Sequence, residues 1–399
     1  TNLTLMGGHS TPVMTHSQWE AVDLNYWETV DLEWYDPDAA TTRDGKLEIT
    51  ISEQPTRGLS FRSGMLQTWN KLCFNKGAYI EVSISLPGNS KASGFWPGAW
   101  TMGNLGRAGY GATCDGMWPY SYDSCDVGTL PAQLFANKTP IASYNGSGTT
   151  DYKGALSILN GQRASACTCP GNPHPGPNNG VGRGAPEIDI LEAQVDYRGY
   201  GTASQSIQIA PFDPEWLWNN NTNGMTIYNN TRTTLNSWKG AATQESASAV
   251  SILDSISYND TAYQSFGYEL VPGTTADSQI TWAVGGEPTW TLKAGAFPAN
   301  AVTEIGPRLI SEEPMYMIIN LGMSSKFQSL QFNALKFPAT MYIDYVRVWQ
   351  PQGQTDITCD PPEYPTQDYI NTYMEYYTDP NITTWPTNIW PKNSLKDTC

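Results

Sequence analysis

The sequence predicts an all-β protein, a sandwich or barrel in which a single domain runs long. Three observations carry that reading. Short segments such as "GKLEITIS" and "GAYIEVSISLP" alternate apolar and polar residues with the two-residue period of a strand. Glycine (36) and proline (28) are frequent, so many of these segments stop at a turn. No helix–strand alternation is visible, which disfavours a parallel α/β sheet.

Taken in order, residues 19–86 read as strands, with "SGMLQTWNKLCF" among them. "GFWPGAWTMGN" (94–104) is an apolar strand whose Trp96, Gly98, Trp100 and Met102 share a face. Residues 105–183 are rich in Gly, Pro, Asn and Ser and hold four of the seven cysteines, as a long functional or stapled insertion would. "ASQSIQIAPF" (203–212) is a further strand, and a second insertion follows at about 213–262. Strands resume at "SISYND", "SFGYELVP", "SQITWAVGG" and "TWTLKAG", and "MYMIINLGM" and "TMYIDYVRVWQ" have the character of central strands. Trp282 and Trp349 are assigned to the core. The domain is expected to cover 1–352, with 353–399 an extension packed on it. There, Tyr369, Tyr373 and Tyr377 recur at helical spacing behind Thr366, a candidate N-cap.

The formal charge of −16 argues against a nucleic-acid partner, because a polyanion is repelled by such a surface. No run of 18 apolar residues occurs, and the start, at Thr1, has no basic–apolar leader pattern, so a processed or trimmed N-terminus is expected. Seven Asn-x-Ser/Thr sequons, at Asn2, Asn137, Asn145, Asn220, Asn229, Asn259 and Asn381, point to the secretory pathway. The cysteines agree. With three histidines and no paired C-x-x-C, zinc is disfavoured and disulfides are expected among Cys73, Cys114, Cys125, Cys167, Cys169, Cys359 and Cys399. Sequence does not set the pairing, though Cys359 with Cys399 would staple the tail. The odd count leaves one thiol over.

The segment "GAPEIDILEAQVD" (184–196) sets Glu187, Asp189 and Glu192 among Ile188, Ile190 and Leu191. On a strand, Glu187 and Asp189 share a face, but Glu192 lies five residues from Glu187 and turns away. A β-bulge near Ile190–Leu191 restores it to the same face. Two carboxyls flanking a glycosidic bond are the glycoside-hydrolysis pair, ~5–5.5 Å apart in retaining enzymes. Same-face neighbours on a strand are ~6.5–7 Å apart at Cα, a gap that side chains can close. Glu187 is assigned as nucleophile, Asp189 as the acid that holds it and Glu192 as general acid/base. A solvated edge strand, or a Ca²⁺ site built from three carboxylates, is the competing reading. The aromatics support a sugar partner: Trp96, Trp100, Trp118, Tyr120, Trp216 and Trp218 are candidate stacking surfaces, with Asn104 beside them.

These residues carry a resemblance. E-I-D-I-L-E is similar to the E-x-D-x-x-E signature of family 16 glycoside hydrolases in its bulged form, over roughly residues 15–352. "GNLGRAGYGATCDGMWPYSYDSCDVGT", "SACTCPGNPHPGP" and "TTWPTNIWPKNSLKDTC" resemble the fungal β-glucan synthesis-associated proteins of the Kre/Skn type, through the tail. The resemblance implies a concanavalin A-like jelly roll of two antiparallel sheets. It further implies a role in cell-wall β-1,6-glucan formation and a membrane anchor ahead of the luminal part. It places the nucleophile, assisting acid and acid/base at Glu187, Asp189 and Glu192. Where many laminarinases carry a histidine on the following strand, this chain offers Gln205 and Gln208, which are expected to bind substrate. The resemblance also singles out Cys114 as the odd thiol. A structural Ca²⁺ enters only by analogy, and no organic cofactor is implied. The expected function is a retaining β-glucan glycosidase or transglycosidase. Its alternatives are a non-catalytic glucan-binding scaffold, a plain endo-β-1,3-glucanase, and a nucleotide-sugar glycosyltransferase with "DPD" (36–38) as its D-x-D.

Overall fold

The computed structural model describes residues 18–146 and 152–399, together with the backbone of Asn2–Thr4. Two antiparallel sheets stack face to face. The first follows the order Met225–Ile227, Glu287–Lys293, Gln279–Val284, Gln264–Val271, Ala78–Ser85, Ala339–Trp349, Lys46–Ile51 and Ala40–Arg43, with Asn2–Thr4 also on Ala339–Trp349. The second runs Thr233–Leu235, Gln244–Ile252, Gly201–Ile209, Glu187–Val195, Trp96–Gly103, Met315–Gly322, Met65–Gln67 and Glu20–Ala21. Gly240–Ala241 and Cys73–Phe74 attach to its flanks. This is the jelly-roll sandwich that the resemblance implies.

Alternation builds the core. Ile49, Ile80, Val82, Ile84 and Trp282 of the first sheet meet Ile188, Ile207, Met317 and Ile319 of the second, all fully buried. A second apolar cluster lies on the other face of the second sheet. Met65, Met102, Tyr316 and Ile318 are covered there by Leu105 and Met117 of the insertion and by Tyr369, Ile370, Tyr377 and Trp385 of the tail. The insertion and tail thus form an added layer over part of that face. The rest of the face is left to polar side chains.

Several expectations need correction. The 213–262 segment is not all loop, since Gln244–Ile252 pairs with Gly201–Ile209 along eight positions. "SISYND" is not a strand; Tyr258 makes only an isolated bridge to Leu86. The tail helix breaks at Tyr373 into Gln367–Thr372 and Met374–Thr378. Thr366 does not cap it with its side chain; its hydroxyl donates to the Cys359 carbonyl at 2.6 Å. Trp349 is only half-buried, tilted against Tyr79 on the outer face of the first sheet, whereas Trp282 is core and stacks on Trp290 at 4.4 Å.

All six expected half-cystines are paired, as Cys73–Cys359, Cys125–Cys167 and Cys169–Cys399, and Cys114 is free. The expected Cys359–Cys399 staple is therefore wrong: each end of the tail is tied to a different part of the body, which spacing along the chain cannot reveal. The six sequon asparagines from Asn137 to Asn381 are exposed, and the Asn2 side chain lies outside the described residues.

Candidate active site

The acidic strand carries the bulge. Against Gly201–Ile209, Asp189 faces Ser206 and Glu192 faces Ser204, so Ile190 and Leu191 share the single position opposite Gln205. Against Trp96–Gly103 the same slip falls between Ala99 and Trp100. Both bulge residues are driven into the main core, where each is fully buried. Desolvating two adjacent branched side chains is what pays for the extra residue. Glu187, Asp189 and Glu192 consequently emerge on the opposite face, as the spacing argument requires.

Gln205 anchors this geometry from behind. Its Nε2 donates to the Ile190 carbonyl at 3.0 Å and the Ala283 carbonyl at 3.3 Å, and its Oε1 accepts from Thr289 at 2.7 Å. It is fully buried and cannot touch a substrate, which corrects its expected role. Strand parity explains the error: Gln205 and Gln208 are three apart and must face opposite ways. Trp282 adds a second hold, its indole N–H donating to the Asp189 carbonyl at 2.8 Å.

On the open face each acid has its own donors. The Trp118 indole N–H reaches Glu187 Oε2 at 2.7 Å, and that of Trp96 reaches Glu192 Oε1 at 3.1 Å. Asp189, only 1% exposed, accepts from Ser206 Oγ at 2.7 Å and Gln208 Nε2 at 3.1 Å. Gln208 is steadied in turn by Gln244 at 3.0 Å. Burial pushes Glu187 well above the ordinary glutamate range, and Asp189 and Glu192 push it the same way, while Trp118 opposes them. Glu192 is pushed up to about 8, by burial first and by Asp189 second. Asp189 is raised by burial but held back by Ser206, Gln208 and Glu187. The three carboxyls are buried close together on one face and cannot all ionise together.

Trp96 and Trp100 stand on the same face, beside the acids. Trp96 is stacked on Phe327 at 4.3 Å, the two rings nearly parallel. The Trp100 indole donates to Asn320 Oδ1 at 2.9 Å, Asn320 donates to the Tyr35 hydroxyl at 3.0 Å, and Tyr35 donates to Asp31 at 3.0 Å. Four other expected binding residues are elsewhere. Tyr120 is fully buried in the main core. Trp216 is buried with its N–H on the Leu156 carbonyl at 3.1 Å. Trp218 packs against Trp290. Asn104 is buried and ties the Asn70 backbone N–H to Thr366. Their aromatic or amide character does not distinguish packing from sugar contact. Sequence reasoning missed Ser206 and Asn320, although the parity of "ASQSIQI" puts Ser206 level with Asp189. Among the described residues no group of three or more His, Cys, Asp or Glu is arranged to hold a metal ion.

Residues 15–399 match the family model described as beta-glucan synthesis-associated protein SKN1/KRE6/Sbg1. The KRE6 protein of Saccharomyces cerevisiae is 44% identical over 392 residues, covering 96% of this chain and 50% of its own length. The KRE6 protein of Candida albicans is 42% identical over 391 residues, covering 94% and 49%. This chain thus spans about half the length of these relatives. Among solved structures, the laminarinase catalytic domain of Thermotoga maritima aligns with a TM-score of 0.47 at 16% identity, covering 88% of this chain and 98% of its own.

Proposed function

The chain belongs to the SKN1/KRE6/Sbg1 family of beta-glucan synthesis-associated proteins, and from that premise we propose that it is a retaining β-glucan-active glycosidase or transglycosidase serving cell-wall β-1,6-glucan formation. The observation that carries the reading is the bulge, which brings Glu187, Asp189 and Glu192 onto one face, with an indole N–H on each of the outer two.

Glu192, protonated up to about pH 8, is suited to protonate the leaving glycosidic oxygen. Glu187 then forms the bond to the anomeric carbon as the bond to the leaving oxygen breaks. Attack requires Glu187 to be ionised, so a proton held by this mutually repelling pair must reside on Asp189. Positive charge building on the sugar ring beside Glu187 favours that placement, since it stabilises the nearer anion. In the second half-reaction Glu192, now ionised, takes the proton of the incoming acceptor, and Glu187 is released. Water as acceptor gives hydrolysis; a sugar hydroxyl gives transglycosylation. The disulfides and exposed sequons support a secretory-pathway or cell-surface location.

The test pairs a variant with a product assay. Glu187→Gln should abolish turnover of β-1,3- and β-1,6-gluco-oligosaccharides while retaining their binding. Wild-type protein should yield products longer than the starting oligosaccharide if transglycosylation dominates. Full turnover by Glu187→Gln would reject the assignment.

A further inference from the structure

The indole on Glu187 comes from the insertion, and the turn that carries it is braced by the tail. Trp118 follows the short helix Gly111–Cys114, with its backbone N–H on the Cys114 carbonyl at 2.8 Å. The tail closes on this turn at three places. The Ala112 N–H donates to the Ile382 carbonyl at 3.1 Å, and the Trp385 N–H donates to Asp115 Oδ2 at 3.0 Å. At the third, Gly116 sits so close to Trp390 that a Cβ would lie 2.7 Å from its ring. Arg163 locks the arrangement. Its buried guanidinium lies 3.5 Å from the centre of the Trp385 ring and donates to the Ala112 carbonyl at 3.0 Å and the Thr113 carbonyl at 3.1 Å. A desolvated cation held between an aromatic face and helix-end carbonyls is a strong, direction-specific contact. The tail is itself fastened by Cys169–Cys399.

We propose that the C-terminal segment 366–399 is a working part of the active site, because by bracing the 111–118 turn it holds the Trp118 indole N–H against Glu187; Trp118 and Trp385 are thus positioning residues. This rests on the reading of Glu187 as nucleophile. The titratable groups that interact electrostatically with Glu187 are Asp189 and Glu192 on its own strand, and Tyr26, Cys114 and Tyr316. Burial raises Tyr26, Cys114 and Tyr316, so they are uncharged at neutral pH, and Glu28 raises Tyr26 and Cys114 further. The Trp118 N–H therefore acts against like charge and burial, and favours the ionised carboxylate that attacks.

Two measurements test this. The indole ¹⁵N–¹H resonance of Trp118, assigned with Trp118→Phe, should be shifted downfield by its carboxylate acceptor and should move in Trp385→Leu. Trp385→Phe, which keeps a ring under Arg163, should restore it. Labelling of Glu187 by an epoxyalkyl β-glucoside, followed against pH, reads the nucleophile without turnover. Trp118→Phe should move the acid limb up by about 0.5–1 pH unit, slowing labelling at low pH by on the order of three- to tenfold. Trp385→Leu should act in the same direction, and the double variant should match Trp118→Phe alone. An unmoved Trp118 resonance in folded Trp385→Leu, or additive effects in the double variant, overturns the proposal. A resonance that moves as expected, in a wild-type protein whose Glu187 is never labelled, supports the brace and refutes the nucleophile reading instead.

Discussion

Replacing Gln205 with methionine tests whether the bulge is held from behind. Methionine keeps the length and nearly the volume of glutamine but removes both amide functions. The Ile190 and Ala283 carbonyls would each lose the buried donor they now have at 3.0 and 3.3 Å. Thr289 would keep the Trp282 carbonyl at 3.1 Å. An unsatisfied buried polar group costs about 1–3 kcal/mol, so two give about 2–6 kcal/mol. That is a large part of the ~5–15 kcal/mol that holds an ordinary domain together. The variant should therefore unfold at clearly lower urea concentration, with an unchanged m-value. Below that transition it should still lose activity, by on the order of tenfold or more, because a loosened Ile190 no longer fixes the angle at which Glu192 emerges. Oligosaccharide binding, proposed for the Trp96 and Trp100 surface, should suffer less. If Gln205→Met is within about 0.5 kcal/mol of wild type and equally active, burial of Ile190 and Leu191 alone sets the bulge, and the clamp has no role.

Other outcomes follow from the same geometry. In its proposed role Glu192 must be protonated to act as acid, so activity should fall as pH rises through about 8. Trp96→Phe keeps the stack on Phe327 but removes a donor to the ionised form, and should carry that basic limb upward; an unmoved limb would detach Glu192 from the acid role. Glu245 is fully buried and pushed from about 4.5 to about 8 by desolvation, against the Phe212 and Asp213 backbone donors. Between those values the folded protein keeps a proton that the unfolded chain has lost, so this group contributes stability at low pH that disappears as pH rises. Glu245→Gln should therefore gain on wild type between pH 5 and pH 8.5, by at least about 1 kcal/mol in urea titrations; a constant difference would show that Glu245 does not titrate in that window.

The sequence by itself determined what depends on period and parity. Alternating strands and the face shared by Glu187, Asp189 and Glu192 follow from side-chain direction along a strand, and the long insertion at 105–183 from its Gly, Pro, Asn and Ser content; both are local properties. Even the bulge is legible, because Ile190 and Leu191 both demand burial and three carboxylates do not. Only the tertiary structure decided what meets across distance. It took Gln205 from a presumed ligand to a buried clamp, sent Tyr120 and Trp216 into packing, and turned Asn104 into a link to the tail. It also paired Cys359 with Cys73 rather than Cys399, and set Trp118, some 69 residues ahead of Glu187, on that carboxylate. Such contacts come from the closing of loops over a sheet, and the free energy of closure is spread over many residues, so no short stretch of sequence records it.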